Sequence, residues 1–172
     1  MEYRNIILIG MPSSGKSTIG KPLSKALEMH FIDTDGLIFD REKRQLKDIV
    51  NEDGLEKFLE IQENVILEIS ADNHVISTGG SVIYNKKAME HLKKDGFVVF
   101  LDVKLDEINN RLEGGRRFAR NKNQSFEDLY KERLPLYLKY ADSKIDCTNK
   151  NVDSIIKEII TQYIPHRKSK SE

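Results

Sequence analysis

Short apolar runs alternate with longer stretches of helical periodicity along the chain. The apolar runs occupy residues 5–10, 31–33, 75–78, 97–103 and 145–147. Between and after them, apolar residues recur every three or four positions over 15–29, 37–51, 55–69, 86–94, 105–112 and 152–164. Strands that repeatedly give way to helices need crossover connections, which favour a parallel sheet covered on both faces. The pattern therefore predicts an α/β fold, a three-layer α/β/α sandwich around a central five-stranded parallel sheet.

Two segments fall outside this alternation. Residues 113–124 are polar and glycine-rich, so we expect a mobile surface loop there. Residues 165–172 are polar and net basic, and we expect them to form a flexible tail. Residues 1–164, which include the 113–124 loop, have the length of one domain, because single domains usually run to roughly 100–200 residues.

Composition excludes several classes of protein. The 172 residues include 28 Lys and Arg and 28 Asp and Glu, so the formal net charge is zero and favours neither nucleic acid nor an anionic membrane as a partner. The apolar runs are far shorter than a membrane-spanning helix. The single cysteine, Cys147, excludes an internal disulfide and a multi-cysteine metal site. Since the first residues carry no secretory signal, we expect a cytoplasmic protein.

The neutral total conceals two oppositely charged regions. Residues 114–133 contain six basic side chains and three acidic ones, whereas residues 46–72 contain eight acidic side chains and two basic ones. Recognition by charge must therefore be local. The basic region is suited to a polyphosphate.

A glycine-rich segment follows the first strand and opens the first helix. It matches the phosphate-loop pattern G-x-x-x-x-G-K-[ST]. Its backbone N–H groups and the helix N-terminus favour a bound phosphate, with Lys16 reaching the β- and γ-phosphates and Ser17 supplying a hydroxyl to Mg²⁺. The sequence thus predicts ATP and Mg²⁺ as cofactors. The predicted cofactor-binding residues of this loop are Gly10, Ser13, Ser14, Gly15, Lys16, Ser17 and Thr18.

Two further strand ends carry candidate chemistry. Asp33 and Asp35 follow the second strand, and their spacing places both carboxylates at the edge of the sheet where ligands bind. One carboxylate could serve hydrated Mg²⁺ and the other bind or deprotonate an acceptor hydroxyl, or Asp35 could simply cap the following helix. After the third strand, Gly79 and Gly80 would bring bare backbone against a ligand, and the Ser77 hydroxyl could hold a metal-bound water.

These motifs resemble those of the shikimate kinases. That family consists of small P-loop NTPase proteins with a nucleoside monophosphate kinase-like fold, which use ATP and Mg²⁺ to phosphorylate a hydroxyl of a cyclic hydroxy-carboxylate. The resemblance implies that Lys16, Asp35 and Arg116 are catalytic and that Ser17 and Asp33 hold the metal. It also implies a small-molecule acceptor as the partner, with no nucleic acid and no membrane, in a monomer or weak homodimer.

The resemblance also implies a lid and an acceptor pocket. The basic loop at about 113–124 corresponds to the lid, in which Arg116, Arg117 and Arg120 are each candidates for contacting phosphate. Arg133 is expected to hold the carboxylate of the acceptor. The implied acceptor-binding residues are Asp35, Phe58, Leu59, Gly79, Gly80 and Arg133.

The acceptor segment departs from the family pattern. Shikimate kinases carry G-E-x-x-F-R-x-x-E after the second strand, with the Arg on the substrate carboxylate. Here Phe58 is retained, but Leu55 replaces the first Glu, Leu59 the Arg and Gln62 the second Glu. The sequence therefore leaves open whether the acceptor is shikimate or another small hydroxy acid, hydroxy amino acid or polyol. On helical spacing, Leu59 could also be plain core.

Two other functions compete with a metabolite kinase. A nucleoside monophosphate kinase needs arginines around its acceptor phosphate, and residues 46–72 contain none. A nucleotide-binding regulatory protein without turnover is also possible, but the retained Lys16, Asp33 and Asp35 argue against it.

Overall fold

The apolar runs form β-strands in the computed structural model, which describes residues 2–112 and 123–167. The strands are β1 (Asn5–Ile9), β2 (His30–Asp33), β3 (His74–Ser77), β4 (Gly96–Asp102) and β5 (Ser143–Asp146). In these residues they form one sheet of order β2-β3-β1-β4-β5, and every neighbouring pair is parallel. The predicted five-stranded parallel sheet is confirmed.

Eight α-helices occur in the same described ranges. They are α1 (Lys16–Ala26), α2 (Thr34–Glu42), α3 (Leu46–Asp53), α4 (Leu55–Leu67), α5 (Lys86–Lys93), α6 (Leu105–Leu112), α7 (Phe126–Tyr140) and α8 (Val152–Tyr163). Short 3-10 helices span Val82–Tyr84 and Ile164–His166. Among the described helices, none combines the length and the apolar character that a membrane crossing requires.

The order of the strands places helices on both faces of the sheet. The chain runs from β1 through α1 to the β2 edge, but from β3 through α5 to β4 and then through α7 to β5 at the other edge. Because crossovers between parallel strands are right-handed, connections that run in opposite directions lie on opposite faces. Helix α8 packs against α1 on its face. The predicted three-layer α/β/α sandwich is confirmed.

The core has a large and a small part. Residues 6–9 of β1 have no exposed surface, since β3 and β4 flank the strand and helices cover both faces. A smaller cluster joins α2, α3 and α4. It consists of Ile38, Ile49, Phe58, Ile61 and Val65.

One predicted helix is divided in two. The periodicity of residues 37–51 predicts a single helical stretch, yet α2 ends at Glu42 and α3 begins at Leu46. Lys43 adopts a left-handed conformation (φ 53°) and its N–H donates to the Phe39 carbonyl, which terminates α2. The apolar spacing continues across the break because both helices pack on the same cluster.

The predicted start of the flexible tail, residue 165, lies too early in the chain. Residues 164–166 form a 3-10 helix, and the Tyr3 N–H donates to the His166 carbonyl at 2.7 Å. The His166 ring stacks on Phe97 with 5.5 Å between ring centroids. Residues 165–167 therefore pack beside the N-terminal end of the sheet. Their ring and backbone contacts hold them there, although their polar composition predicts a flexible tail.

A methyl group at Gly96 should destabilise the fold. An added Cβ would lie 2.4 Å from the Leu92 carbonyl oxygen and 2.5 Å from the Ile7 side chain, at the start of β4. We expect Gly96→Ala to lower the free energy of unfolding by about 1–3 kcal/mol in urea denaturation. Gly36→Ala is the control, because its Cβ would have no neighbour closer than 3.9 Å. Equal stability of the two variants would contradict the close packing around Gly96.

Candidate active site

The phosphate-binding loop connects β1 to α1 at the carboxyl edge of the sheet. Ser13 (φ 62°) and Gly15 (φ 91°) both have left-handed backbones, which fold the loop back toward the first turn of α1. An added Cβ at Gly10 would lie 2.8 Å from the Leu101 carbonyl oxygen, so no larger residue fits. The loop therefore brings backbone N–H groups and the positive end of the α1 dipole to one place.

Lys16 is held over this loop. Its Nζ donates to the carbonyl oxygens of Gly10 and Met11 at 2.8 Å each and to Ser14 Oγ at 3.3 Å. The side chain is buried. A positive charge is thus fixed where the loop would surround a phosphate.

Three oxygen-bearing side chains meet beside the loop. Ser17 Oγ donates to Asp33 Oδ2 at 2.7 Å and lies 3.1 Å from Ser77 Oγ. These residues come from α1, β2 and β3, and the pairing of β3 with both β1 and β2 brings them together. Asp33 also caps α2, because its Oδ1 accepts the Asp35 N–H at 3.1 Å. The predicted alternative, that Asp35 caps the helix, is wrong, since Asp35 lies in its first turn.

A cavity of about 360 Å³ joins the loop to the predicted acceptor-binding residues. Every predicted acceptor-binding residue except Leu59 lines this cavity. Leu59 is half-buried and packs on the smaller core cluster instead. Arg116, Arg117 and Arg120 lie outside the described residues, as does most of the predicted lid. The described lining residues are Pro12, Ser13, Gly15, Lys16, Ser17, Thr18, Asp33, Asp35, Leu46, Lys47, Val50, Phe58, Ser77, Thr78, Gly79, Gly80, Ser81 and Arg133.

The two glycines after β3 allow close approach of side chains. A Cβ at Gly79 would lie 2.6 Å from Asp35 Oδ1 and 2.9 Å from Gln62 Nε2. Gln62 is fully buried, and its Nε2 has no hydrogen-bond partner within residues 2–112 and 123–167. A Cβ at Gly80 would lie 3.1 Å from an Arg133 nitrogen. Bare backbone at these positions is therefore required for Asp35 and Arg133 to line the cavity.

Arg133 is a buried charge on α7. Leu129, Arg133 and Tyr137 are spaced four residues apart and form the buried stripe of this helix. The guanidinium carbon lies over the Tyr84 ring, 5.2 Å from its centroid, and Nε donates to the Tyr84 hydroxyl at 3.2 Å. Burial raises the pKa of Tyr84, as does its hydrogen bond to Glu132, so the phenol stays protonated. These contacts fix a cation in the wall of the cavity.

The Tyr137 hydroxyl ties α7 to the glycine segment. It donates to the Gly80 carbonyl at 2.5 Å, and its ring stacks on Phe100 of β4. Complete burial raises the pKa of Tyr137, which keeps the donor proton in place. The position of Arg133 relative to Gly80 therefore depends on a hydrogen bond between segments distant in sequence.

Several lining residues were missed by sequence reasoning. Pro12 and Thr78 belong to the motifs but lack a recognisable chemical role. Leu46, Lys47 and Val50 come from α3, and their spacing of three and four residues is the signal that places them on one helix face. Tyr84, which contacts Arg133 but does not line the cavity, gives no sequence signal, because its role depends on α7.

Two other features lie apart from this site. A solvent-open cavity of about 550 Å³ between α2 and α4 shares no lining residue with the first and contains none of the predicted site residues. Cys147 is buried after β5, and burial raises the pKa of its thiol to about 12, which makes it unreactive at neutral pH.

The comparison with protein families agrees with this geometry. The shikimate kinase family model matches residues 12–164. The chain belongs to the shikimate kinase family. A shikimate kinase from Clostridium botulinum (strain 657 / Type Ba4) is 42% identical over 159 residues, which cover 88% of this chain and 92% of that protein. Membership makes the chain a small-molecule kinase of the ATP-binding P-loop type.

Solved structures of related kinases share the fold. The shikimate kinase from Acinetobacter baumannii, solved in complex with shikimate, aligns with a TM-score of 0.87 at 27% identity and covers 97% of this chain and 96% of its own. A thymidylate kinase from Candida albicans aligns with a TM-score of 0.61 at 17% identity over 99% and 96% of the two chains. The second similarity concerns the fold alone. The P-loop kinase fold predicted from the sequence is confirmed.

Gly79 should be intolerant of any side chain. We expect Gly79→Ala to lower kcat of the kinase reaction about 100-fold, because the new Cβ displaces the Asp35 carboxylate. Calorimetric ATP binding should be unchanged, since the phosphate-binding loop is not touched. Gly36→Ala, on the same helix as Asp35, is the control. A Gly79→Ala enzyme with normal kcat would show that Asp35 need not occupy this position.

Proposed function

We propose that the chain transfers the γ-phosphoryl group of ATP to a hydroxyl of shikimate, in the presence of Mg²⁺, giving shikimate 3-phosphate and ADP. One observation carries the proposal. The phosphate-binding loop, the Ser17 and Asp33 oxygens, the Asp35 carboxylate and the Arg133 guanidinium all line a single cavity. Membership of the shikimate kinase family supports it.

The nucleotide is proposed to bind at the loop between β1 and α1. The loop amides and Lys16 would hold the β- and γ-phosphates, and phosphoryl transfer depends mainly on such positioning and charge neutralisation. The proposed lid at about 113–124 would add Arg116, Arg117 or Arg120. The enzyme would act as one kinase domain over residues 1–164, as a monomer or weak homodimer in the cytoplasm.

The Ser17 and Asp33 oxygens fit Mg²⁺. They lie 2.7 Å apart, and a hydroxyl with one carboxylate is the sparse oxygen set that Mg²⁺ uses beside phosphates and water. No group of three or more His, Cys, Asp or Glu side chains that could hold a metal occurs in residues 2–112 and 123–167. When bound, Mg²⁺ neutralises charge on the phosphate oxygens.

Asp35 is the proposed partner of the acceptor hydroxyl. Asp33 contacts Ser17 and the α2 backbone, whereas Asp35 lies against Gly79, so different tasks are proposed for the two carboxylates. Asp35 would orient the hydroxyl and accept its proton as the hydroxyl oxygen bonds to the γ-phosphorus and ADP leaves. Phe58, Gly79 and Gly80 would shape the pocket, and Arg133 would hold the acceptor carboxylate.

A different acceptor within the same chemistry is the second candidate. Leu59 and Gln62 are both uncharged, so the pocket lacks the Arg and Glu implied by the family pattern. Another small hydroxy acid, hydroxy amino acid or polyol would then replace shikimate. A nucleotide-binding regulatory role without turnover is the remaining alternative.

The reaction can be tested by ADP release over a panel of acceptors that contains shikimate, other hydroxy acids, hydroxy amino acids and polyols. We expect shikimate to be the best substrate, with Lys16→Ala lowering kcat/KM at least 100-fold because a phosphate contact is lost. Asp35→Asn should lower kcat about 100-fold or more while ATP binding persists.

Equal ADP release by wild type and Lys16→Ala with every acceptor would refute catalysis. Calorimetric ATP binding without any turnover would favour the regulatory alternative.

Leu59→Arg tests the acceptor directly. An arginine that reaches the cavity adds a charge-assisted hydrogen bond to a carboxylate, so we expect KM for shikimate to fall about tenfold. Leu59→Gln is the control for lost apolar packing on the smaller core cluster. An unchanged KM in Leu59→Arg would show that position 59 does not face the acceptor.

A further inference from the structure

One wall of the acceptor cavity carries a cation that the motifs do not predict. Lys47 lies in the first turn of α3 and lines the cavity with Leu46 and Val50 of the same helix. Ile49 is fully buried in the smaller core cluster, which fixes the rotation of α3 about its axis. The packing of the helix therefore directs the 46, 47 and 50 positions to the cavity.

Lys47 has no partner among the residues that the structure describes. Neighbouring Arg44 forms ion pairs with Glu52 at 2.5 Å and with Asp53 at 2.7 Å. Lys47, by contrast, is exposed and forms no ion pair or hydrogen bond to any residue in the described part of the chain. Its ammonium group is available for a ligand of the cavity.

Leu59 and Gln62 are uncharged, although the family pattern has Arg and Glu at these two positions. Leu59 packs on the smaller core cluster, and Gln62 Oε1 accepts hydrogen bonds from Ser81 and Asn85. The cationic residues among the described lining are Lys16, Lys47 and Arg133. Because Lys16 is held at the phosphate-binding loop, Lys47 and Arg133 are the two cations placed for the acceptor.

We propose that Lys47 is a specificity-determining residue that binds the anionic group of the acceptor together with Arg133. This inference rests on the proposed function and commits the acceptor to a hydroxylated carboxylate, because a neutral polyol has no anionic group for the Lys47 ammonium to bind. A lysine is a flexible point charge, whereas arginine imposes bidentate geometry. The cavity should therefore accept hydroxy acids with differently placed carboxylates.

Lys47→Ala and Lys57→Ala provide a matched test. Both remove one exposed lysine, but Lys57 lies on α4, pairs with Glu60 at 2.9 Å and does not line the cavity. We expect Lys47→Ala to raise KM and the calorimetric Kd for shikimate about tenfold or more, with kcat and KM for ATP within about twofold of wild type. Lys47→Arg should stay near wild type, and Lys57→Ala should match wild type throughout.

The outcomes separate this inference from the proposed function. Turnover of shikimate with equal KM in Lys47→Ala and Lys57→Ala would overturn the role of Lys47 and leave the function intact. Efficient turnover of a neutral polyol that is insensitive to Lys47→Ala would also overturn it. Shikimate binding that weakens in Lys47→Ala, without turnover in any variant, would refute the function and support the binding role. Neither binding nor turnover of shikimate by the wild type would overturn both.

Discussion

The position of β1 in the sheet is the constraint on which the site depends. Its residues 6–9 are fully buried between β3 and β4. Because the sheet is parallel, the carboxyl ends of β1, β2 and β3 meet at one edge, and the segments that follow them converge. The contact between Ser17, Asp33 and Ser77 is the direct result. Ser17 follows β1, Asp33 ends β2 and Ser77 ends β3, and β3 pairs with both of the other strands.

The proposed acceptor side of the cavity is built differently from the proposed nucleotide side. The phosphate-binding loop is one continuous segment, whereas the acceptor wall combines α3, α4, the glycines after β3 and α7. Hydrogen bonds such as that from Tyr137 to the Gly80 carbonyl join these pieces. The acceptor wall can therefore change without disturbing the phosphate-binding loop, which is how proteins that share a fold can differ in function.

The charged side chains of the cavity are also divided between the phosphate-binding loop and the acceptor wall. Asp33 is fixed by two hydrogen bonds beside the phosphate-binding loop, and Asp35 faces the glycine backbone. Arg133 is fixed by Tyr84, while Lys47 is unconstrained in the described structure. A chain with zero net charge thus lines one cavity with both carboxylates and cations, a property that total charge conceals.

The sequence by itself determined the alternating strands and helices, the parallel sheet and the phosphate-binding loop, because periodicity and the G-x-x-x-x-G-K-[ST] spacing are local properties of the chain. Tertiary structure decided the rest. The break at Lys43 arises where two helices pack on one cluster. Arg133 is held by Tyr84, 49 residues away, and Lys47 faces the cavity because Ile49 is buried. An eight-residue helix such as α3 takes its rotation from its packing partners, and those contacts exist only in the folded chain.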